Sequence, residues 1–178
     1  MTDTLDRHAA EAQFRGVFAH LGAVATYARR RGSRDADGVA AEVMTIAWRR
    51  LADVPVDDPR PWLYATARNL VLADRRHAPI VASGKPGERV DTAQVPELLE
   101  LDPDLGVALR SLSALDREAL LLIAWEDLTP TQAARSLGIS PVAFRVRLLR
   151  ARRRIRANLE DTAGERADAT SDLDLETT

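Results

Sequence analysis

Cysteine is absent from this 178-residue chain, and its three histidines, His8, His20 and His77, stand far apart. Disulfide frameworks and Cys/His zinc sites are thereby excluded, and nothing indicates a redox role, a metal or a cofactor. Long apolar runs are also missing. The stretch from Ala119 to Trp125 falls far short of the roughly 20 residues a spanning helix needs. The acidic N-terminus lacks the basic-then-apolar order of a signal peptide, so the expected setting is cytoplasmic, without membrane insertion. Alternating apolar and polar residues are scarce, which argues against strands. What is present is 46% hydrophobic and 29% charged residues, the balance of a folded chain with a buried core.

A net charge of −2 conceals a strong asymmetry. Residues 105–160 carry ten basic and five acidic groups, whereas 161–178 carry one and six. Between Pro141 and Arg156 there are seven arginines and no acid. Of the 25 basic residues, 24 are arginine, a side chain suited to planar, bidentate contacts.

Apolar spacing of three and four residues predicts an all-α protein. Phe14, Val17, Phe18, Leu21, Ala25 and Ala28 form a first stripe. A second helix opens near Ser33 or Asp35 and buries Val39, Val43, Ile46 and Ala47. A third starts with Pro61 and buries Leu63, Ala67 and Leu70, with Trp62 read as a core residue at its start. From Ala78 to Glu100 the pattern breaks at Ser83, Gly84, Pro86, Gly87 and Pro96, which reads as a flexible linker. The expected organisation is therefore two small helical domains, 1–78 and 102–160, joined by a linker at 79–101 and followed by a disordered acidic tail at 161–178.

In the second domain every helix has a start signal: Asp102 before Pro103, Ser113, Thr129-Pro130 with Gln132, and Ser140-Pro141. Gly138 sits where a turn needs a left-handed residue. This is helix-turn-helix grammar. On the last helix Phe144, Leu148, Ala151 and Ile155 face inward, while Val142, Val146, Leu149 and Arg153 lie opposite with Arg145 and Arg150 alongside. Apolar side chains on an otherwise wet, arginine-rich face suit the major groove, where arginine bonds guanine edges or phosphates and small apolar groups touch thymine methyls.

Several strings together resemble the sigma-70 family, specifically the extracytoplasmic-function sigma factors that keep only conserved regions 2 and 4. In the C-terminal half these are Leu115-Asp116-Arg117-Glu118-Ala119-Leu120-Leu121-Leu122, Thr129-Pro130-Thr131-Gln132-Ala133-Ala134, Gly138-Ile139-Ser140-Pro141 and Arg145 to Arg152. In the N-terminal half they are Tyr27-Ala28-Arg29-Arg30-Arg31, Asp35-Ala36-Asp37, Ala47-Trp48, Pro61-Trp62-Leu63, Ala67-Arg68-Asn69-Leu70 and Asp74-Arg75-Arg76. The resemblance implies a transcription initiation factor, not an enzyme, with region 2 in 1–78 and region 4 in 102–160. Its implied partners are core RNA polymerase, through the beta-prime clamp helices and the beta flap, promoter DNA, and an anti-sigma factor.

Site residues follow from pattern and resemblance together. Arg145, Val146, Arg147, Leu149, Arg150 and Arg153 are expected to read minus-35 DNA. Tyr64, Arg68, Asn69, Arg75 and Arg76 lie away from the apolar stripe of the third helix and are expected at the minus-10 element, Asn69 near the pocket for a flipped base. Asp37, Ala41, Met44 and Trp48 make a second patch on the second helix, expected to grip polymerase. There the chain departs from the common family pattern, with Gly38 where an acid is frequent and Ala41 where glutamine is frequent. Two other functions compete: a stand-alone helix-turn-helix regulator that needs no polymerase, and a metal site at Asp35, Asp37 and Glu42. Helical spacing points those three carboxylates in different directions, and first-turn acids suit the helix dipole.

Overall fold

The computed structural model describes residues 2–77 and 102–175, with side chains placed for 7–74 and 102–164. The expected linker, 79–101, lies outside the described residues. Among those described, regular structure is entirely helical. The N-terminal half holds α1 (Thr2–Phe18), α2 (Leu21–Arg30), α3 (Ala36–Arg49), a 3-10 turn at Leu51–Asp53 and α4 (Arg60–His77). The C-terminal half holds α5 (Pro103–Arg110), α6 (Ala114–Ala124), α7 (Pro130–Leu137) and α8 (Pro141–Leu175).

The first stripe is thus broken in two. Chain reversal at Ala19 and His20 lets Phe14 pack against Trp48 of α3, while α2 buries Val24, Ala25, Tyr27 and Ala28. Helix starts follow the polar signals. Asp35 caps α3 by accepting from the Gly38 amide at 2.8 Å, Asp102 caps α5, and Ser113 caps α6. A Cβ on Gly38 would come within 2.0 Å of the Asp35 carboxylate, so a side chain at 38 must displace this cap. At the other end of α5, buried Arg117 donates to the carbonyls of Leu109 and Arg110 in its last turn and of Leu112 just beyond it.

Helix α8 continues to Leu175, so the segment expected to be a disordered tail is helical in its backbone. It contains no proline, and Ala163, Ala167 and Ala169 favour the helix strongly enough to carry the chain past Gly164.

Packing sets the two expected helical domains against each other. Val24, Val43, Leu63 and Ala67 of the first half and Ala119, Leu122, Ala133 and Phe144 of the second belong to one continuous buried cluster. Helix α4 lies along α7 as the seam. Full burial of each aliphatic side chain contributes about 1.5–3 kcal/mol, so the two halves are held by more than their linker.

Candidate nucleic-acid interface

The helix-turn-helix is built by local chemistry. Thr129 and Gln132 form a reciprocal capping box at the start of α7, Thr129 Oγ1 accepting from the Gln132 amide and Gln132 Oε1 from the Thr129 amide. The turn passes through Gly138 at φ 66°, a left-handed conformation that a Cβ would penalise. Ser140 then caps α8 by accepting from Ala143. Phe144, Leu148 and Ala151 are buried beneath α8, with Ile155 half-buried. The opposite face is open. Val142, Val146 and Leu149 are 68%, 48% and 51% exposed, and Arg145, Arg150 and Arg153 are exposed beside them. Arg147 is different: its Nη1 donates to Asp116 Oδ1 at 2.9 Å, tying α8 to the first turn of α6. Arg147 therefore braces α8 against α6.

On α4 the five residues expected at the minus-10 element separate into three groups. Asn69 is exposed. Arg75 and Arg76 occupy the last turn of α4, their side chains outside the described residues. Tyr64 and Arg68, however, face the C-terminal half. Tyr64 is only 4% exposed and stacks on Tyr27 at 5.0 Å, and Arg68 lines a small cavity with Tyr27, Arg31 and Glu118. The helical wheel of α4 cannot show this, because the covering surface comes from another part of the chain.

The α3 patch is a groove. Trp48 and Phe18 are each about half exposed, Trp48 meets Phe14 edge-on at 5.0 Å, and Leu21, Ala41, Met44 and Thr45 complete the lining. Ala41 is exposed, and Asp37 is exposed with Arg29 at 3.8 Å. Met44 is buried, 4% exposed, so it forms the floor and not the rim. It was expected on an open patch; α1 and α2 packing against α3 bury it.

Sequence reasoning missed a buried polar cluster. Arg31, 2% exposed at the end of α2, donates to both oxygens of Glu118 at 2.9 and 3.2 Å and to Glu126 Oε1 at 2.8 Å. The Tyr27 hydroxyl donates to Glu118 Oε1 at 2.9 Å, Arg30 Nη1 donates to the Trp125 carbonyl, and Gln132 Nε2 to Asp58 Oδ2. All of these cross between the halves. Burial disfavours charge on Arg31, yet Glu118, Tyr27 and Glu126 outweigh it and hold the guanidinium proton more firmly than usual. Burial, then the negative Glu118, raises the Tyr27 hydroxyl well above its ordinary value. Burial also lifts the Glu126 carboxyl against the pull of Arg31. Charged residues on the first turns of α6, Glu118 directly before its apolar run, were the available signal for this cluster.

Fold and exposed face together define a two-part helical DNA-binding protein. Residues 104–155 match the family model for sigma-70 region 4. RNA polymerase sigma factor CnrH of Cupriavidus metallidurans is 30% identical over 165 residues, covering 81% of this chain and 84% of that protein. The probable RNA polymerase sigma factor RfaY of Xanthomonas campestris is 34% identical over 139 residues, covering 69% of this chain but only 34% of the RfaY length. Among solved structures, CnrH in complex with the cytosolic domain of CnrY is 28% identical, with a TM-score of 0.60 over 88% of this chain and 97% of that one. A likeness of fold alone comes from RpoE in complex with the anti-sigma factor NepR from Bartonella quintana, 21% identical with a TM-score of 0.58 over 82% and 95%. The chain belongs to the RNA polymerase sigma factors, in the extracytoplasmic-function group of the sigma-70 family. Among the described residues, no helix is long and apolar enough to cross a membrane, and no group of three His, Asp or Glu could hold a metal.

Proposed function

We propose that this chain binds core RNA polymerase and directs it to a defined set of promoters, reading minus-35 DNA with the open face of α8 and opening the minus-10 element with α4. The single observation that carries this reading is the exposed apolar and arginine face of α8 on a correctly capped helix-turn-helix. Arg145, Val146, Leu149, Arg150 and Arg153 would meet base edges or adjacent phosphates, and Arg147 would set the angle of the helix. Asn69, with Arg75 and Arg76, would engage the opened strand. The groove of Phe18, Ala41 and Trp48, with Asp37 nearby, would seat polymerase. An anti-sigma partner is supported by the CnrH complex with CnrY. Membership in a family of initiation factors supports a non-enzymatic role, and a cytoplasmic site of action accords with it.

A stand-alone regulator is disfavoured because the likeness to CnrH extends through 81% of this chain, well beyond the helix-turn-helix. Run-off transcription on pooled genomic fragments, with core polymerase alone and with this chain added, tests the proposal. New promoter-specific transcripts are expected; none above core polymerase alone would overturn it.

A further inference from the structure

The first turn of α8 carries no charge. No side chain from Gly138 to Phe144 is ionisable, and the one hydroxyl, on Ser140, is engaged in capping the helix by accepting from the Ala143 amide at 3.1 Å. Ile139 and Phe144 turn inward to the core, while Pro141, Val142 and Ala143 are exposed. Val142, Val146 and Leu149 follow one another at four and three positions and so form one exposed stripe, a single side chain wide and ~10 Å long. Arg145 flanks it on one side and Arg150 on the other, both exposed. A stripe this narrow between cations is poor ground for a protein partner, since the centre of such a contact is broad and depleted of charge. It matches a major groove, with phosphates or guanines for the arginines and base edges for the stripe.

What the stripe can read is limited by its chemistry. Aliphatic side chains form no bond with thymine O4 or with the cytosine amino group, so the donor and acceptor pattern beneath them goes unread. The 5-methyl group of thymine is the feature they can grip, because burying it against valine or leucine removes apolar surface from water on both partners. 5-Methylcytosine carries the same methyl group at the same ring position. We infer that Val142, Val146 and Leu149 read the 5-methyl groups of pyrimidines, thymine and 5-methylcytosine alike, so that binding of minus-35 DNA responds to cytosine methylation. This rests on the minus-35 role proposed above and adds Val142 to the reading face. Along ~10 Å of helix the stripe covers about three base-pair steps, which brings two or three methyl groups within its reach.

Duplexes enriched from a randomised pool, by the full chain with core polymerase and by the chain alone, supply the probes. Replacing thymine by deoxyuridine removes the methyl group and nothing else. At two or three adjoining positions this should weaken binding by about threefold each. Where the same pair is changed to cytosine–guanine, 5-methylation of the cytosine should strengthen binding by about threefold over the unmethylated duplex. Val142→Ala and Leu149→Ala, at exposed sites and compatible with a helix, should each abolish the methyl effect at a different position and leave the melting temperature nearly unchanged. Enriched duplexes that share no thymine, or that bind equally with thymine and deoxyuridine at every position, would overturn the inference, as would a methyl effect that both variants retain. No enrichment in either arm would overturn it too. Run-off transcription reports separately: enrichment by the chain alone with no promoter-specific transcript would sink the sigma function, while the methyl comparison still decides what the stripe reads.

Discussion

Arg31 and Glu118 lie 87 positions apart, yet form a two-bond ion pair with both side chains almost wholly buried. That pair joins the end of α2 to the middle of α6 and so holds the two helical domains against each other. Its strength lies in what happens when half of it is lost. Arg31→Met should destabilise the packed chain by about 3–5 kcal/mol, because Glu118 and Glu126 are left buried without a counter-charge. Adding Glu118→Gln and Glu126→Gln should recover part of that loss in thermal melts. No recovery would assign the cost to packing of the arginine stem over Tyr27 and Trp125 instead.

The chain has two tyrosines, Tyr27 and Tyr64, and both hydroxyls are raised by burial, Tyr27 further by Glu118 and Tyr64 by Glu126. Folding therefore favours the protonated phenols. The stabilisation is complete below pH ~10, the unfolded value, and is lost as pH rises through the folded values. Ultraviolet titration should show little tyrosinate at pH ~10 in the native chain and ordinary titration in denaturant. A native curve centred at the ordinary value would contradict the packing of Tyr27 on Tyr64.

For minus-35 recognition, Arg145→Ala and Arg150→Ala should reduce discrimination between cognate and mismatched duplexes, by about 1–3 kcal/mol if each reads a base bidentately. Arg147→Ala should act otherwise, lowering thermal stability through loss of the Asp116 contact and weakening all sequences alike. Fluorescence anisotropy against salt checks both. Uniform losses for Arg145→Ala and Arg150→Ala would place them on phosphates.

At the α3 groove, Trp48→Ala should weaken polymerase binding by about 2 kcal/mol or more while leaving the melting temperature nearly unchanged. Met44→Ala should behave as a core truncation and cost about 2–5 kcal/mol of stability, since Met44 is buried. Pull-down with core polymerase beside calorimetry separates the two. A collapse of stability in Trp48→Ala would mean that this half-exposed ring belongs to the internal core.

Asn69→Ala should impair promoter opening with little effect on polymerase binding, because the side chain is exposed on α4, away from the α3 groove. A premelted promoter should restore transcription. Failure to restore it, with polymerase binding lost, would remove Asn69 from strand recognition.

The sequence by itself determined most of what acts over a few residues, the break at Ala19 and His20 and the helical run past Gly164 being the local exceptions. Capping at Asp35, Asp102, Ser113, Thr129 and Ser140, the left-handed turn at Gly138, and the two faces of α8 were all legible, because a helix start, a turn and an amphipathic stripe are set by neighbours one to four positions away. The open face of α8 was legible for a further reason: it is exposed, so nothing distant alters it. Tertiary structure alone decided which polar residues stay wet. Tyr64 and Arg68 read from their own helix as an open surface, and Met44 as part of a patch, until partners brought by chain folding covered them. Arg31 stands in a run of three arginines that sequence cannot rank. Only the approach of Glu118 and Glu126 selects it for burial, because a charge leaves water only where counter-charges far along the chain are folded to meet it.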